Sequence, residues 1–99
     1  MQFPERPTAL FCFNDTMAMG AYDAIKQLGL SIPDDVAIVG FDNLEVIAAH
    51  LRPQLTTIEL PHYAMGQWAV QYLFDHADGS HLDSIQQTIA CPLIERASI

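Results

Sequence analysis

Two apolar runs, each cut off by polar residues, and a third, β-branched stretch set the rhythm of the chain. Residues 36–41, Val36-Ala37-Ile38-Val39-Gly40-Phe41, are apolar without alternation and end abruptly in Asp42-Asn43. A half-exposed strand alternates, whereas a β-branched run of this length fits a strand covered on both faces, as in a parallel sheet. Residues 8–13 form a run of the same kind, apolar after Thr8 and broken by Asn14-Asp15, and residues 55–60 a more polar stretch with β-branched Thr56, Thr57 and Ile58. Both outer runs are predicted strands, that over 8–13 buried.

Helical spacing fills the gaps. Over 16–28, Ala18, Ala21, Tyr22, Ile25 and Leu28 fall on one face, with Met17 and Met19 widening it. Asp15 suits the N-cap, because its carboxylate can accept an orphan N–H of the first turn. Gly29 suits the left-handed position after the helix, with Leu30 making the accompanying apolar contact. Gly20, inside the helix, predicts a close approach to the sheet. Residues 31–35 are the return loop, residues 44–51 a short amphipathic helix, and residues 61–76 a helix opened by Pro61. A polar turn is predicted over 77–81, a strand over 85–91 and an extended tail over 92–99.

Strand, helix and strand with short connections make a βαβ unit, whose strands run parallel. Both carboxyl ends then lie on one edge, which brings Asn14-Asp15 beside Asp42-Asn43. That edge is where open α/β sheets gather ligands. The fold class is therefore α/β, three layers around a mostly parallel sheet.

Composition narrows the function. The chain has 99 residues, enough for one small domain, and 51% are apolar while 16% are charged. Charged residues usually make up roughly a quarter of a soluble domain, so this chain is expected to hide surface against a partner or against further parts of its own domain. Its net charge is −8, and Arg6, Lys26, Arg52 and Arg96 are scattered. Nucleic-acid affinity comes mainly from basic groups neutralising phosphates. The chain alone is therefore not expected to bind DNA, RNA or an anionic membrane. Cys12 and Cys91 read as buried, reduced thiols in apolar contexts. The first residues have no basic segment followed by an apolar one, so a cytoplasmic setting is expected.

Little catalytic chemistry is visible. No glycine-rich phosphate loop and no G-x-S-x-G elbow occurs. His76 and His81 flank a turn without a third ligand, so surface histidines are favoured over a metal pair. Asp15 and Asp42 admit several readings: an acid–base pair, a phosphoacceptor site, or a helix cap and a strand-end ligand contact. Capping accounts for Asp15, and ligand contact is favoured for Asp42. No enzyme activity, cofactor or metal is expected.

Several motifs resemble, in order, the effector-binding domain of LacI/GalR-type transcriptional repressors. They are Phe11-Cys12-Phe13-Asn14-Asp15, Met17-Ala18-Met19-Gly20, the stretch from Ile32-Pro33-Asp34-Asp35 to Gly40-Phe41-Asp42-Asn43, Leu55-Thr56-Thr57-Ile58, and Leu93-Ile94-Glu95-Arg96-Ala97-Ser98. The resemblance implies a partial periplasmic-binding-protein-like fold, the C-terminal portion only, with the DNA-binding helix-turn-helix domain absent. It implies two lobes around a cleft, residues 8–53 in the C-terminal lobe, and a helix from Pro61 packed on the other. By the same resemblance, Asn14 and Asp42 hydrogen-bond a small effector, often a sugar or nucleobase. Asp15 completes the Asn-Asp pair, and His62 can face the cleft from its helix's first turn. Leu60-Pro61 departs from the family's frequent Gln-Pro. Residues 44–53 match a region of dimer contacts, for which Val46, Ile47, Ala49 and Leu51 supply an apolar face. The implied function is effector sensing and homodimerisation in a repressor that meets DNA only through its N-terminal domain. A fragment of a transport-type sugar-binding protein, a small α/β enzyme, and a chain without independent activity are the alternatives.

Overall fold

The apolar run over 36–41 lies inside a four-stranded sheet. The structure, a computed structural model, describes residues 5–77, 79 and 85–99. Four strands, β1 (Ala9–Phe11), β2 (Ala37–Asp42), β3 (Thr56–Glu59) and β4 (Leu93–Ile94), pair in the order β1-β2-β3-β4. The first three are mutually parallel, and β4 runs antiparallel to β3. Phe11 pairs with Val39, Val39 with Thr56, and Asp42 with Glu59. The predicted α/β class and parallel βαβ unit are thus present.

Helix α1 (Asp15–Gln27) crosses between β1 and β2. It buries Ala18, Tyr22 and Ile25, a helical stripe, in a core with Val36, Ile38, Ala48 and Leu55. Fully burying a side chain the size of Ile or Leu contributes about 1.5–3 kcal/mol, so this cluster is the main apolar anchor of the sheet. Leu28, predicted on the same face, is instead the C-cap and is exposed, because the helix ends there. The end is a Schellman turn: Gly29 (φ 74°) donates its N–H to the Lys26 carbonyl and Leu30 donates to that of Ile25. The Tyr22 hydroxyl donates to the Pro53 carbonyl at 2.8 Å, and Lys26 Nζ to that of Arg52 at 2.6 Å. Both bonds fasten the approach to β3 onto α1. On the return loop, the Asp35 carboxylate accepts the Ser31 N–H, which holds its pKa below the usual value, and Arg6 reinforces the shift.

Several expectations are corrected. The run over 8–13 yields only three strand residues, and Phe11 is exposed, because β1 is an edge with β2 as its only neighbour. The helix over 44–51 is one turn, α2 (Glu45–Ala48). Residues 85–91 form no strand, so Cys91, expected buried, is exposed, and Cys12 is half-buried near the end of the edge strand β1. The fourth strand comes from the tail, where the Glu59 N–H donates to the Pro92 carbonyl and Thr57 pairs with Ile94. Beyond it, buried Ser98 is wedged between β2 and β3. Its hydroxyl donates to the Ile38 carbonyl and accepts the Thr56 N–H.

The chain divides into two units, Met1–Leu60 with Pro92–Ile99, and Pro61–Cys91. The second contains α3 (His62–Asp75), whose predicted helical period is present but which buries no residue. Within it Trp68 stacks on Tyr72 and Tyr72 on His76, with ring centroids 5.3 and 4.3 Å apart. His81 and part of the predicted turn over 77–81 lie outside the described residues. Among the described residues no group of three His, Cys, Asp or Glu side chains is placed to hold a metal.

The close approach expected at Gly20 is absent there and occurs instead at Gly40. A Cβ on Gly20 meets nothing within 4 Å, whereas one on Gly40 collides with Asp15 Oδ1 and lies 2.9 Å from Leu55 Cδ2. Gly20→Ala is therefore expected to raise stability by about 0.5–1 kcal/mol through helix propensity. Gly40→Ala is expected to lower it by about 1–3 kcal/mol through overpacking. Urea unfolding of the two variants checks both signs.

Candidate ligand-binding site

The parallel strands β1 and β2 deliver their polar ends to one edge, as the βαβ argument requires. Asn14, not Asp15, caps α1. Asn14 has extended backbone (φ −152°, ψ 172°), and its Oδ1 accepts the Met17 N–H at 2.8 Å. Its amide NH2 remains as a donor pair. Asp15 is the first helical residue and fully buried. Its Oδ1 accepts the Thr57 hydroxyl at 2.7 Å, and its Oδ2 accepts the Leu44 N–H at 2.7 Å. A buried carboxylate is tolerated only with such partners. Because the Asp15 side chain is engaged with β3 and the loop after β2, the cap falls to its neighbour.

At the end of β2 the backbone turns through two residues of positive φ, Asp42, the last of the strand (φ 120°), and Asn43 (φ 58°). Non-glycine residues held in such regions cost about 1–3 kcal/mol each and persist where surrounding contacts over-determine them. Here those contacts are explicit. The Asn43 N–H donates to Thr57 Oγ1 at 3.4 Å, and its Nδ2 to Glu59 Oε1 at 3.2 Å. Its Oδ1 accepts Arg96 Nη2 at 2.9 Å. Arg96 is itself fixed by donating Nη1 to the Leu55 carbonyl and its N–H to Thr56 Oγ1, both at 2.8 Å. Asp42 makes no such side-chain bond among the described residues.

A cavity of about 450 Å³ opens at this edge, lined by Phe11, Phe13, Asn14, Phe41, Asp42 and Leu60. Its wall is aromatic and apolar except at two points, the Asn14 amide and the Asp42 carboxylate. That is the make-up of a small-molecule site, an apolar surface with a few placed polar groups. Asn14 offers donors and Asp42 acceptors, and among the described residues no cation lines the wall. Sequence reasoning found Asn14 and Asp42 but missed the three phenylalanines and Leu60. Their signal was present, as Phe13, Phe41 and Leu60 each close a predicted strand and Phe11 lies two residues before such an end. It also missed Asn43 and Arg96.

The remaining candidates lie elsewhere. Asp15 is beneath the edge rather than on the cavity wall. His62 is exposed in the first turn of α3, in the second unit. Val46 is exposed, Ile47 and Ala49 are half-buried, and Leu51 packs against the core cluster.

Comparison with known proteins agrees with this architecture. The family model of the periplasmic binding protein-like domain matches residues 1–99. The chain belongs to that family. It is 41% identical over 98 residues to the HTH-type transcriptional repressor CytR of Escherichia coli K12, covering 99% of this chain and 28% of that protein. A LacI family transcriptional regulator from Enterococcus faecium, solved with bound ribose, superposes with a TM-score of 0.80 at 30% identity, covering 95% of this chain and 35% of that one. The Lac repressor dimer bound to operator and an anti-inducer superposes with a TM-score of 0.85 at 34% identity, covering 93% and 27%. The chain thus resembles part of a LacI-type effector-binding domain and spans about a quarter to a third of the length of these relatives.

The two bonds to Asp15 make it the more sensitive half of its pair. Asp15→Ala leaves the Leu44 N–H without its partner and is expected to lower stability by about 1–3 kcal/mol. Asp15→Asn is expected to lose less, because its amide oxygen can accept from Leu44 while its NH2 donates to the Thr57 oxygen. Urea unfolding at neutral pH orders the two. An Asp15→Ala variant within about 0.5 kcal/mol of the parent contradicts this role.

Proposed function

We propose that this chain is the C-terminal portion of the effector-binding domain of a LacI/GalR-type transcriptional repressor acting in the cytoplasm. Asn14 and Asp42 supply the polar contacts of one cavity wall, and the phenylalanines supply a surface for an apolar ring face. The observation that carries this reading is the meeting of these two side chains over a small aromatic cavity at the carboxyl edge of parallel strands. The ligand class is an uncharged sugar-like or nucleobase-like molecule. A carboxylate on the wall and a net charge of −8 both disfavour an anion. The bound ribose of the Enterococcus faecium relative supports the sugar-like half of that class.

In the whole regulator, DNA contact belongs to an N-terminal helix-turn-helix domain outside these residues. Homodimer contacts draw on Val46, Ile47, Ala49 and Leu51, of which Val46 is the most exposed. The effector acts by binding one arrangement of the regulator better than another, since equal affinity for both shifts nothing.

The chain alone presents part of a cleft, so its own affinity is expected to be weak, in the millimolar range. Titration of the ¹⁵N-labelled chain with D-ribose and, separately, with adenine tests the site. At least one is expected to shift the amide resonances of Phe13, Asn14, Phe41 and Asp42, and Asp42→Ala is expected to abolish the response. Shifts confined to other residues, or none with either probe up to its solubility limit, overturn the reading.

A further inference from the structure

We infer that Asn43 is the positioning residue of the site: bridging Arg96 and Glu59, it holds Asp42 in its left-handed backbone and ties the ligand contact to β3 and to the segment after β4. This rests on the reading of the cavity as an effector site. Asn43 does not line the cavity. Its side chain uses both ends, the oxygen for Arg96 Nη2 at 2.9 Å and the nitrogen for Glu59 Oε1 at 3.2 Å. Three elements distant in sequence are thereby joined immediately behind Asp42.

The backbone around Asn43 is held just as closely. The Leu60 N–H donates to the Asp42 carbonyl, the Asn43 N–H to Thr57 Oγ1, and the Leu44 N–H to the Asp15 carboxylate. Each of three successive residues is therefore gripped from outside the turn. Asparagine tolerates φ near 58° better than most residues, but glycine tolerates it better still. A requirement for backbone conformation alone is equally met by glycine. The two side-chain bonds are what asparagine adds, and neither serves the core.

The strands that Asn43 joins are the ones through which the chain continues to Pro61 and returns at Pro92. A ligand pulling on the Asp42 carboxylate acts on the peptide between Asp42 and Asn43. Through Asn43 that pull reaches the end of β3 at Glu59 and the residue two past β4 at Arg96. The bracket thus couples cavity occupancy to both strands, the differential contact that a ligand-driven shift needs.

Asn43→Gly separates side chain from backbone. First, without ligand, the three-bond HN–Hα coupling of Asp42 is measured in the parent, Asn43→Gly, Arg96→Met and Arg96→Lys. Asn43→Gly and Arg96→Met are expected to stay folded and change the Asp42 coupling, with partial recovery in Arg96→Lys. An unchanged Asp42 coupling in a folded Asn43→Gly overturns the inference, as does a fully parent-like Arg96→Met. Should either variant unfold, Asn43→Asp is measured below and above the carboxylate pKa range. Protonation is expected to move its Asp42 coupling toward that of the parent, and an unresponsive coupling overturns the inference. Second, D-ribose is titrated into parent and Asn43→Gly. The variant is expected to bind about fivefold or more weakly and to lose the ribose-induced shifts at Glu59 and Arg96. Equal affinity with those shifts retained overturns the inference. A parent silent to both D-ribose and adenine overturns the effector reading, while the ligand-free couplings still decide the role of Asn43.

Discussion

A carboxylate fully buried beneath the sheet edge, with no ion pair among the described residues, is the constraint on which the rest of this structure depends. Asp15 satisfies itself with one hydroxyl from β3 and one backbone N–H from the loop after β2. Burying such a group is expensive unless its lone pairs are used, so the positions of those partners are tightly specified. Thr57 must sit where its hydroxyl reaches Oδ1, which sets where β3 lies beside the start of α1. Leu44 must turn its N–H inward, which sets the course of the loop carrying Asp42. Position 40 must lack a side chain, because the carboxylate occupies the space a Cβ would take.

From this follows a division of labour at the cavity edge. Each strand end carries a polar pair, Asn14-Asp15 and Asp42-Asn43. In each pair one side chain lines the cavity and the other is built into the framework. Asp15 and Asn43 face the framework, where both reach β3, at Thr57 and Glu59 respectively. Asn14 and Asp42 line the cavity. Asn14 keeps its NH2 for that purpose only because its oxygen is committed to the helix cap. The cavity wall built this way presents few polar groups, each adjoining a framework residue that does not line it.

The parallel arrangement was legible in the sequence because it is written in local pattern: unbroken apolar runs at 8–13 and 36–41, joined by a helix whose buried stripe is Ala18, Tyr22 and Ile25. The convergence of Asn14 and Asp42 followed from topology alone. What was not legible depended on partners distant along the chain. Asn and Asp cap helices about equally well, so the choice of Asn14 as cap rests on Thr57, 42 residues away from Asp15. Strand β4 has two residues and no readable period, and it exists through its pairing with Thr57 and Ile58. Gly20 and Gly40 are distinguished by their neighbours in space, since only at Gly40 do the Asp15 carboxylate and Leu55 fill the place of a Cβ. Of the residues that the family resemblance implied, Asn14 and Asp42 line the cavity, while Asp15 is built into the framework and His62 lies in the second unit.

Amide hydrogen exchange at Leu44 tests the central claim most directly. Leu44 lies outside any strand, its side chain is partly exposed, and it precedes a helix of a single turn. An N–H so placed ordinarily exchanges through local opening at little cost in free energy. Bonded to a buried carboxylate that also holds β3, it is expected to exchange as slowly as Ile38 and Gly40 in β2, and to lose that protection in Asp15→Ala. Rapid exchange of Leu44 in the parent chain, at the rate of an unprotected loop, contradicts the account.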